Sequence, residues 1–373
     1  MVYFDNAATG GFKPRTVIES AENVMKYLLA NPGRSGHRLS IAGERIVYDA
    51  RKAIADFFDA IPERVIFTKN CTEALNTAIF GINPKNRKIV TTVFEHNSVL
   101  RPLYRLKTLF NADIEIVRPE KEKDLADCII EKSEGAFAVV MTATSNVTGE
   151  TTPFKKVGEF AKKKGIKFIL DGAQAGGHIP ISIKNDGISA LCVPAHKGLF
   201  GIMGAGALIL ADDIEISPFI LGGTGTETFN LNQPEDLPER LESGTLPLPA
   251  IAAFKEGVKY AGANINNFGE VLYKYTDYAI NALSEIKGVK IYSKPNRAGI
   301  VSFAIEKLPS QEFADLLNSE YDIAVRGGFH CAPLTHEYLG TENDGLIRVS
   351  LAPQNSSREI NYLLQAVKEI LTR

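Results

Sequence analysis

Residues 167–201 read Lys-Phe-Ile-Leu-Asp-Gly-Ala-Gln-Ala-Gly-Gly-His-Ile-Pro-Ile-Ser-Ile-Lys-Asn-Asp-Gly-Ile-Ser-Ala-Leu-Cys-Val-Pro-Ala-His-Lys-Gly-Leu-Phe-Gly. The apolar run 168–170 ends at Asp171. A second apolar stretch, 188–193, leads to His196-Lys197 in front of Gly198 and Gly201. Short apolar runs bounded by such punctuation read as strands. Two strands that each deliver a charged residue predict an α/β fold with its functional site at the strand ends.

The same alternation extends upstream. Residues 16–29 and 41–58 have the period of amphipathic helices, and Pro62 starts a turn. β-rich runs at 64–68, 88–93, 113–117 and 136–142 are separated by helical patterns at 72–80, 98–110, 120–133 and 154–164, the last closed by Gly165. This predicts a mostly parallel sheet covered by helices on both faces. The pattern changes near residue 215. Residues 222–247 are rich in Gly, Thr, Pro and acidic groups, which reads as a functional loop. A long helical region at 250–286, strands near 288–292 and 299–305, and helices at 310–319 and 356–372 then predict a smaller α+β unit. At 373 residues the chain exceeds one ordinary core, so two domains are expected.

Composition narrows the function. The chain is 45% hydrophobic and 23% charged, with 42 Lys and Arg against 44 Asp and Glu, a net charge of −2. Nothing in that balance recruits nucleic acid or an anionic membrane surface. No run approaches the roughly 20 apolar residues that span a bilayer. The opening residues show no basic segment followed by an apolar one, so no signal peptide is expected. The four cysteines, Cys71, Cys128, Cys192 and Cys331, are far apart and form no Cys-x-x-Cys pair. Neither a disulfide framework nor a metal site is expected, and reduced thiols in the cytoplasm fit this usage.

An acid and a lysine converging at strand ends suit pyridoxal 5′-phosphate (PLP). The lysine bonds the cofactor aldehyde, and the acid keeps the pyridine nitrogen protonated so that the ring acts as an electron sink. Lys197 and Asp171 have those chemistries, and Gln174 can donate to the ring phenolate oxygen. The competing reading of Asp171 and Gln174 is a helix cap with a polar surface residue. Residues 66–76 pass from strand through loop into a helix start, whose free N–H groups suit a phosphate. Thr72 can add a hydroxyl there; the competing reading is a helix cap with Glu73 in the first turn, and both can hold together. His96 follows the 88–93 strand; it is either a hydrogen-bonded structural residue or the flat group that covers the cofactor ring and handles protons. Asn146 is either a turn residue or an active-site contact.

The second unusual segment is Arg326-Gly-Gly-Phe-His-Cys331-Ala-Pro. Cys71, Cys128 and Cys192 read as small buried hydrophobes. Cys331 lies in a Gly/Pro-flanked loop beside His330, and a mobile loop with a thiol and a neighbouring His suggests a nucleophile. Arg348 lies on an apolar strand, where a buried guanidinium requires an anion: a substrate carboxylate or a structural ion pair.

Together these segments resemble the class V aminotransferases, and within them the group II, selenocysteine lyase-like cysteine desulfurases. The resemblance runs along nearly the whole chain. Its pieces are Tyr3-Phe-Asp-Asn-Ala-Ala, Thr72-Glu73-Ala74, Glu95-His96-Asn97, Ser145-Asn146-Val147-Thr148-Gly149, Asp171-Gly-Ala-Gln174, His196-Lys197, Glu242-Ser-Gly-Thr245 and the Cys331 segment. It implies PLP fold type I: a large domain over 15–249 with a mostly parallel seven-stranded sheet, and a small α+β domain from 1–14 and 250–373. It also implies a homodimer with Lys197 carrying the cofactor, Asp171 on the pyridine nitrogen, Gln174 on the phenolate and His96 over the ring. Cys71, Thr72 and His196 would contact the cofactor, with Thr245 reaching in from the other subunit. Ala8, Asn146 and Arg348 would hold the substrate amino acid. Three positions depart from the family pattern: Pro194-Ala195 where a hydroxyl residue and Gly are usual, Lys69-Asn70-Cys71 where Gly and a small residue are usual, and Phe329 where a second His is common.

The implied reaction removes sulfur from L-cysteine, leaving alanine and a persulfide on Cys331 for a sulfur-acceptor protein. Lys197 takes the Cα proton, and His330 or the cofactor's field favours the Cys331 thiolate. The alternatives are a selenocysteine lyase, or a transaminase, lyase or epimerase with Cys331 a bystander; a PLP-binding protein without catalysis is a third class. Alanine released together with sulfide separates the first reading from a transaminase, which needs a keto-acid acceptor.

Overall fold

In the computed structural model, which describes residues 1–33 and 35–372, the strand–helix alternation read from the sequence becomes one seven-stranded sheet. A short strand β1 (Val2–Tyr3) and two helices, α1 (Arg15–Tyr27) and α2 (Arg38–Phe58), come first. Then follow β2 (Val65–Thr68), α3 (Cys71–Gly81), β3 (Lys88–Thr92), α4 (Asn97–Phe110), β4 (Asp113–Val117), α5 (Leu125–Ser133), β5 (Ala138–Thr142), α6 (Phe154–Lys164), β6 (Lys167–Asp171), β7 (Ala190–Pro194) and β8 (Gly206–Leu210). The spatial order is β2-β8-β7-β6-β5-β3-β4. Neighbours run parallel except at β8, which is antiparallel to both β2 and β7. The alternation hides β8 because no helix separates it from β7: the chain returns directly and slots in beside its predecessor. Helix α5 begins at Leu125 rather than near residue 120, because the Asp124 side chain accepts from Ala126 N–H and caps it there.

The 37-residue helix α7 (Leu248–Ser284) leads into β9 (Val289–Ile291), β10 (Ile300–Ile305), α8 (Ser310–Tyr321), β11 (Ile323–Ala324), α9 (Pro333–Leu339), β12 (Ile347–Ser350) and α10 (Ser357–Leu371). β9, β10 and β12 form an antiparallel sheet, and β1 adds to β11 in parallel.

Strands β5, β7 and β8 bury every residue, because helices cover both sheet faces; hence they read as continuous apolar runs. One face packs Ile54, Phe58, Phe154 and Phe254 from α2, α6 and α7. The other packs Leu75, Ile79 and Leu103 from α3 and α4. A separate cluster joins Phe303, Phe313 and Leu363 to Phe4 near the N-terminus. Helix α7 serves both cores, with Phe268 in the first and Leu272 in the last. Among the described residues, no helix is long and apolar enough to cross a membrane.

Candidate active site

Because β8 is reversed, the carboxyl ends of β2, β3, β5, β6 and β7 all face the same way, and the segments leaving them enclose a cavity of about 110 Å³. Cys71, Thr72, His96, Asn146, Asp171 and Gln174 line it together with His196 and Lys197. The sequence therefore named residues that the fold brings together from five separate strand ends.

The turn after β7 carries His196 and Lys197 and is clamped by close backbone approach. Gly177 has φ +87°, and a Cβ there would stand 1.9 Å from the Gly198 carbonyl oxygen. Burial pushes the Lys197 ammonium below its ordinary range; Asp171 and Cys71 oppose this, and Arg348 and Arg326 reinforce it. A buried amine with a lowered pKa is the activated form of lysine. Asp171 closes β6 at 3% exposure, and its Oδ1 accepts from Ala173 N–H at 2.9 Å and lies 3.6 Å from Cys71 Sγ. Cys71 is thus a buried thiol that also lines the cavity, and burial holds it well above its ordinary pKa. Gln174 Nε2 donates to the Ala7 carbonyl at 3.0 Å, which leaves its second amide hydrogen for the cavity.

Helices α3 and α4 both start at the cavity. Thr72 does not cap α3; Asn70 does, its side chain accepting from Glu73 N–H at 2.9 Å. The freed Thr72 hydroxyl lies 2.8 Å from Ser98 Oγ. His96 caps α4, with Nδ1 accepting from Ser98 N–H at 3.0 Å. A backbone N–H only donates, so the neutral ring carries its proton on Nε2. Burial lowers the His96 pKa, against the pull of Asp171. Behind it, Glu95 is fully buried, with Thr92 Oγ1 donating at 2.5 Å; burial raises its pKa well above the carboxylate range.

Arg348 is 1% exposed. Its Nη2 pairs with Asp5 Oδ1 at 3.0 Å and its Nη1 donates to the Asn146 carbonyl at 3.1 Å. Its Nε is buried with no hydrogen-bond partner among the described residues. The chain therefore supplies one anion for Arg348 itself and leaves its Nε–H without a partner among the described residues. Asn146 Nδ2 also donates to the His330 carbonyl at 2.7 Å, so one residue ties Arg348 to the loop that carries Cys331.

That loop departs from expectation in two ways. It is pinned rather than mobile: Arg326 and Arg348 exchange backbone hydrogen bonds, Leu346 N–H donates to the Gly328 carbonyl at 3.0 Å, and Asn97 N–H donates to the Cys331 carbonyl at 2.7 Å. Gly327 serves close packing, since a Cβ there would lie 2.5 Å from the Ser310 carbonyl oxygen, and Gly328 supplies a φ of +102°. Nor does His330 activate the neighbouring thiol. His330 is 3% exposed, its Nε2 lies 3.0 Å from the Leu346 carbonyl, and burial drives its pKa to about 2. It is a neutral ring facing inward, while Cys331 is exposed. Positive φ at both residues, 49° and 57°, sets this inside–outside arrangement.

Four expected site residues lie outside the cavity lining: Arg348 and Cys331, described above, and Ala8 and Thr245. Ala8 sits half-buried in a turn, its N–H donating to the Asp5 carbonyl at 3.1 Å. Thr245 is exposed; three residues earlier, Glu242 makes a buried bidentate pair with Arg51, which anchors the 222–247 loop to α2. Sequence reasoning missed Asp5, Ser98 and Arg326 as site residues. Asp5 lies within the quoted N-terminal motif, Ser98 stands two residues after His96, and Arg326 opens the Cys331 segment; pairing in space, absent from the sequence, is what marks them.

The family model for the class-V aminotransferases matches residues 2–363. A protein of Pyrococcus abyssi described as a probable cysteine desulfurase is 32% identical, covering 100% of this chain and 94% of its own length. A Methanothermobacter thermautotrophicus protein with the same description is 30% identical over 99% and 94%. Among solved structures, the apo cysteine desulfurase of Thermococcus onnurineus superposes with a TM-score of 0.93 at 30% identity, covering 100% of this chain and 94% of that one.

Proposed function

The chain belongs to the class-V aminotransferase family, and on that premise we propose that it is a PLP-dependent cysteine desulfurase, converting L-cysteine to L-alanine with the sulfur passing to Cys331. One observation carries the reading beyond the family: Asn146 joins the guanidinium suited to a substrate carboxylate to the loop presenting an exposed thiol. The relatives named above support it.

The residues fit PLP by their chemistry. Lys197 offers a buried amine, Asp171 a buried carboxylate for the pyridine nitrogen, and His96 a flat ring. Two helix N-termini with the Thr72 and Ser98 hydroxyls, and His196, suit the phosphate. Ser98 supplies a hydroxyl that Pro194-Ala195 lacks. When bound, the cofactor supplies the electron sink that makes the substrate Cα acidic. The Lys197 amine, its pKa lowered by burial, takes that proton. Arg348 orients the substrate carboxylate through its unpartnered Nε–H. The Cys331 thiolate attacks the substrate sulfur: the substrate C–S bond breaks, an S–S bond forms on Cys331, and Cβ gains a proton so that alanine leaves. His96, with Nδ1 committed to the α4 backbone, acts as a ring cover and Nε2–H donor rather than as a base.

The exposed Thr245, outside its own chain's cavity, fits a two-fold dimer in which it reaches the neighbouring subunit's phosphate. The exposed Cys331 suits delivery of sulfur to an acceptor protein, and the free thiols suit the cytoplasm. The test is to incubate the PLP-loaded protein with L-cysteine and a reductant. Alanine and sulfide in equal amounts support the reading; amino transfer to a keto acid without sulfide overturns it. Rapid turnover of selenocysteine with none of cysteine would make it a selenocysteine lyase.

A further inference from the structure

The geometry points to Thr9 as a positioning residue that fixes the tautomer of His196, so that this imidazole presents an Nε2–H donor to the anion-binding end of the cavity. The inference rests on the reading of that cavity as a PLP site.

The N-terminal segment straps the turn that carries Lys197. Gly10 N–H donates to the His196 carbonyl oxygen at 2.9 Å, and Lys13 Nζ donates to the same oxygen at 3.0 Å. Thr9 Oγ1 lies 3.0 Å from His196 Nδ1 and 3.3 Å from that carbonyl. A carbonyl oxygen has two lone pairs, and the two shorter contacts fill them. The Thr9 hydroxyl hydrogen is then directed to Nδ1, which must present its lone pair. The proton of the neutral ring sits on Nε2, across the ring from Thr9, and His196 lines the cavity.

The tautomer matters because His196 is not a cation at neutral pH. Burial, Lys197 and Lys13 together bring its pKa to about 4. A neutral imidazole holds an anion only through its N–H; the other tautomer would aim a lone pair at the phosphate. The demand is sharper here because Pro194-Ala195, just before His196, offers no hydroxyl and Pro194 no N–H. The strap is also tight, since a Cβ on Gly10 would lie 3.2 Å from the Lys197 carbonyl oxygen.

The test uses the full-length, cofactor-free protein labelled with ¹³C and ¹⁵N in histidine. The imidazole shifts, assigned by their loss in His196→Gln, report the tautomer directly. Wild type and Thr9→Ser are expected to be Nε2–H, and Thr9→Val a mixture. In parallel, PLP is titrated into each cofactor-free protein. Thr9→Val is expected to bind about tenfold more weakly, the loss of one net hydrogen bond, while Thr9→Ser stays within about twofold of wild type. An Nδ1–H tautomer in wild type, or equal PLP affinity in Thr9→Val, overturns the inference. If Thr9→Val does not fold, the wild-type tautomer decides it. If wild type takes up no PLP, the functional reading fails while the tautomer measurement still stands.

Discussion

Replacing Asp5 with Asn should loosen the substrate-free protein and tighten its hold on a carboxylate. Arg348 is 1% exposed and its ion pair with Asp5 Oδ1 spans 3.0 Å. With charge centres about 4 Å apart and an effective dielectric of about 20, the gross attraction is roughly 4 kcal/mol. The Asp5 side chain is 23% exposed, so water screens part of this. An Asn side chain also keeps a neutral hydrogen bond, which leaves a net loss of about 2 kcal/mol. For a chain of this length that lowers the melting temperature by roughly 3 °C. A bound carboxylate acts in the opposite sense. In wild type it approaches a guanidinium already shared with an anion; in Asp5→Asn it meets an unopposed cation. The assay is differential scanning calorimetry of the PLP-loaded protein with and without L-alanine, which carries the carboxylate but no sulfur. Asp5→Asn should melt lower alone and gain more from L-alanine than wild type does. Identical melting temperatures and identical ligand responses would refute the argument that Asp5 carries the counter-charge of Arg348.

Borohydride reduction of the yellow, PLP-loaded protein followed by peptide mapping should place the cofactor on Lys197; an adduct on another lysine would overturn the site. Gly177→Ala, forced against the Gly198 carbonyl at φ +87°, should displace the Lys197 turn and weaken PLP retention at least tenfold, measured by dialysis and absorbance. A variant that stays yellow and wild-type stable would show that the turn yields freely. His330 stays neutral when folded, with a pKa of about 2, but takes a proton near pH 6.5 when unfolded. Stability present above that pH is therefore lost as pH falls, at about 1.4 kcal/mol per pH unit for this one group. Urea melts between pH 6 and 4.5 should show His330→Gln with a slope shallower by that amount, and equal slopes would count against the buried neutral ring.

The strand-and-helix alternation was legible because short apolar runs and amphipathic periods are local. β8 escaped because its five residues, Gly-Ala-Leu-Ile-Leu, carry no turn signal that tells a return strand from an extension of the core. The cavity residues were legible because the strand ends deliver them in order. What escaped was pairing across distance. Asp5 and Arg348 are 343 residues apart, and no periodicity links them. Of the two readings of Thr72, phosphate hydroxyl and helix cap, the cap fails because Asn70, two residues earlier, takes that role. The Gly-Gly pair before Cys331 read as flexibility, whereas Gly327 admits the Ser310 backbone and Gly328 takes a φ of +102°; sequence does not separate these uses of glycine. The inward turn of His330 likewise depends on backbone angles that adjacency to Cys331 does not disclose.

The central claim is that sulfur passes through Cys331, and mass spectrometry of that residue tests it most directly. PLP-loaded protein exposed to L-cysteine without reductant, alkylated and digested, should carry one extra sulfur atom on the Cys331 peptide and none on the peptides of Cys71, Cys128 or Cys192. Cys331→Ala should keep its bound PLP, since Cys331 lies outside the cavity lining, while alanine release falls by orders of magnitude. A Cys331→Ala protein that releases alanine from L-cysteine at the wild-type rate, or a persulfide found on another cysteine, would contradict the account.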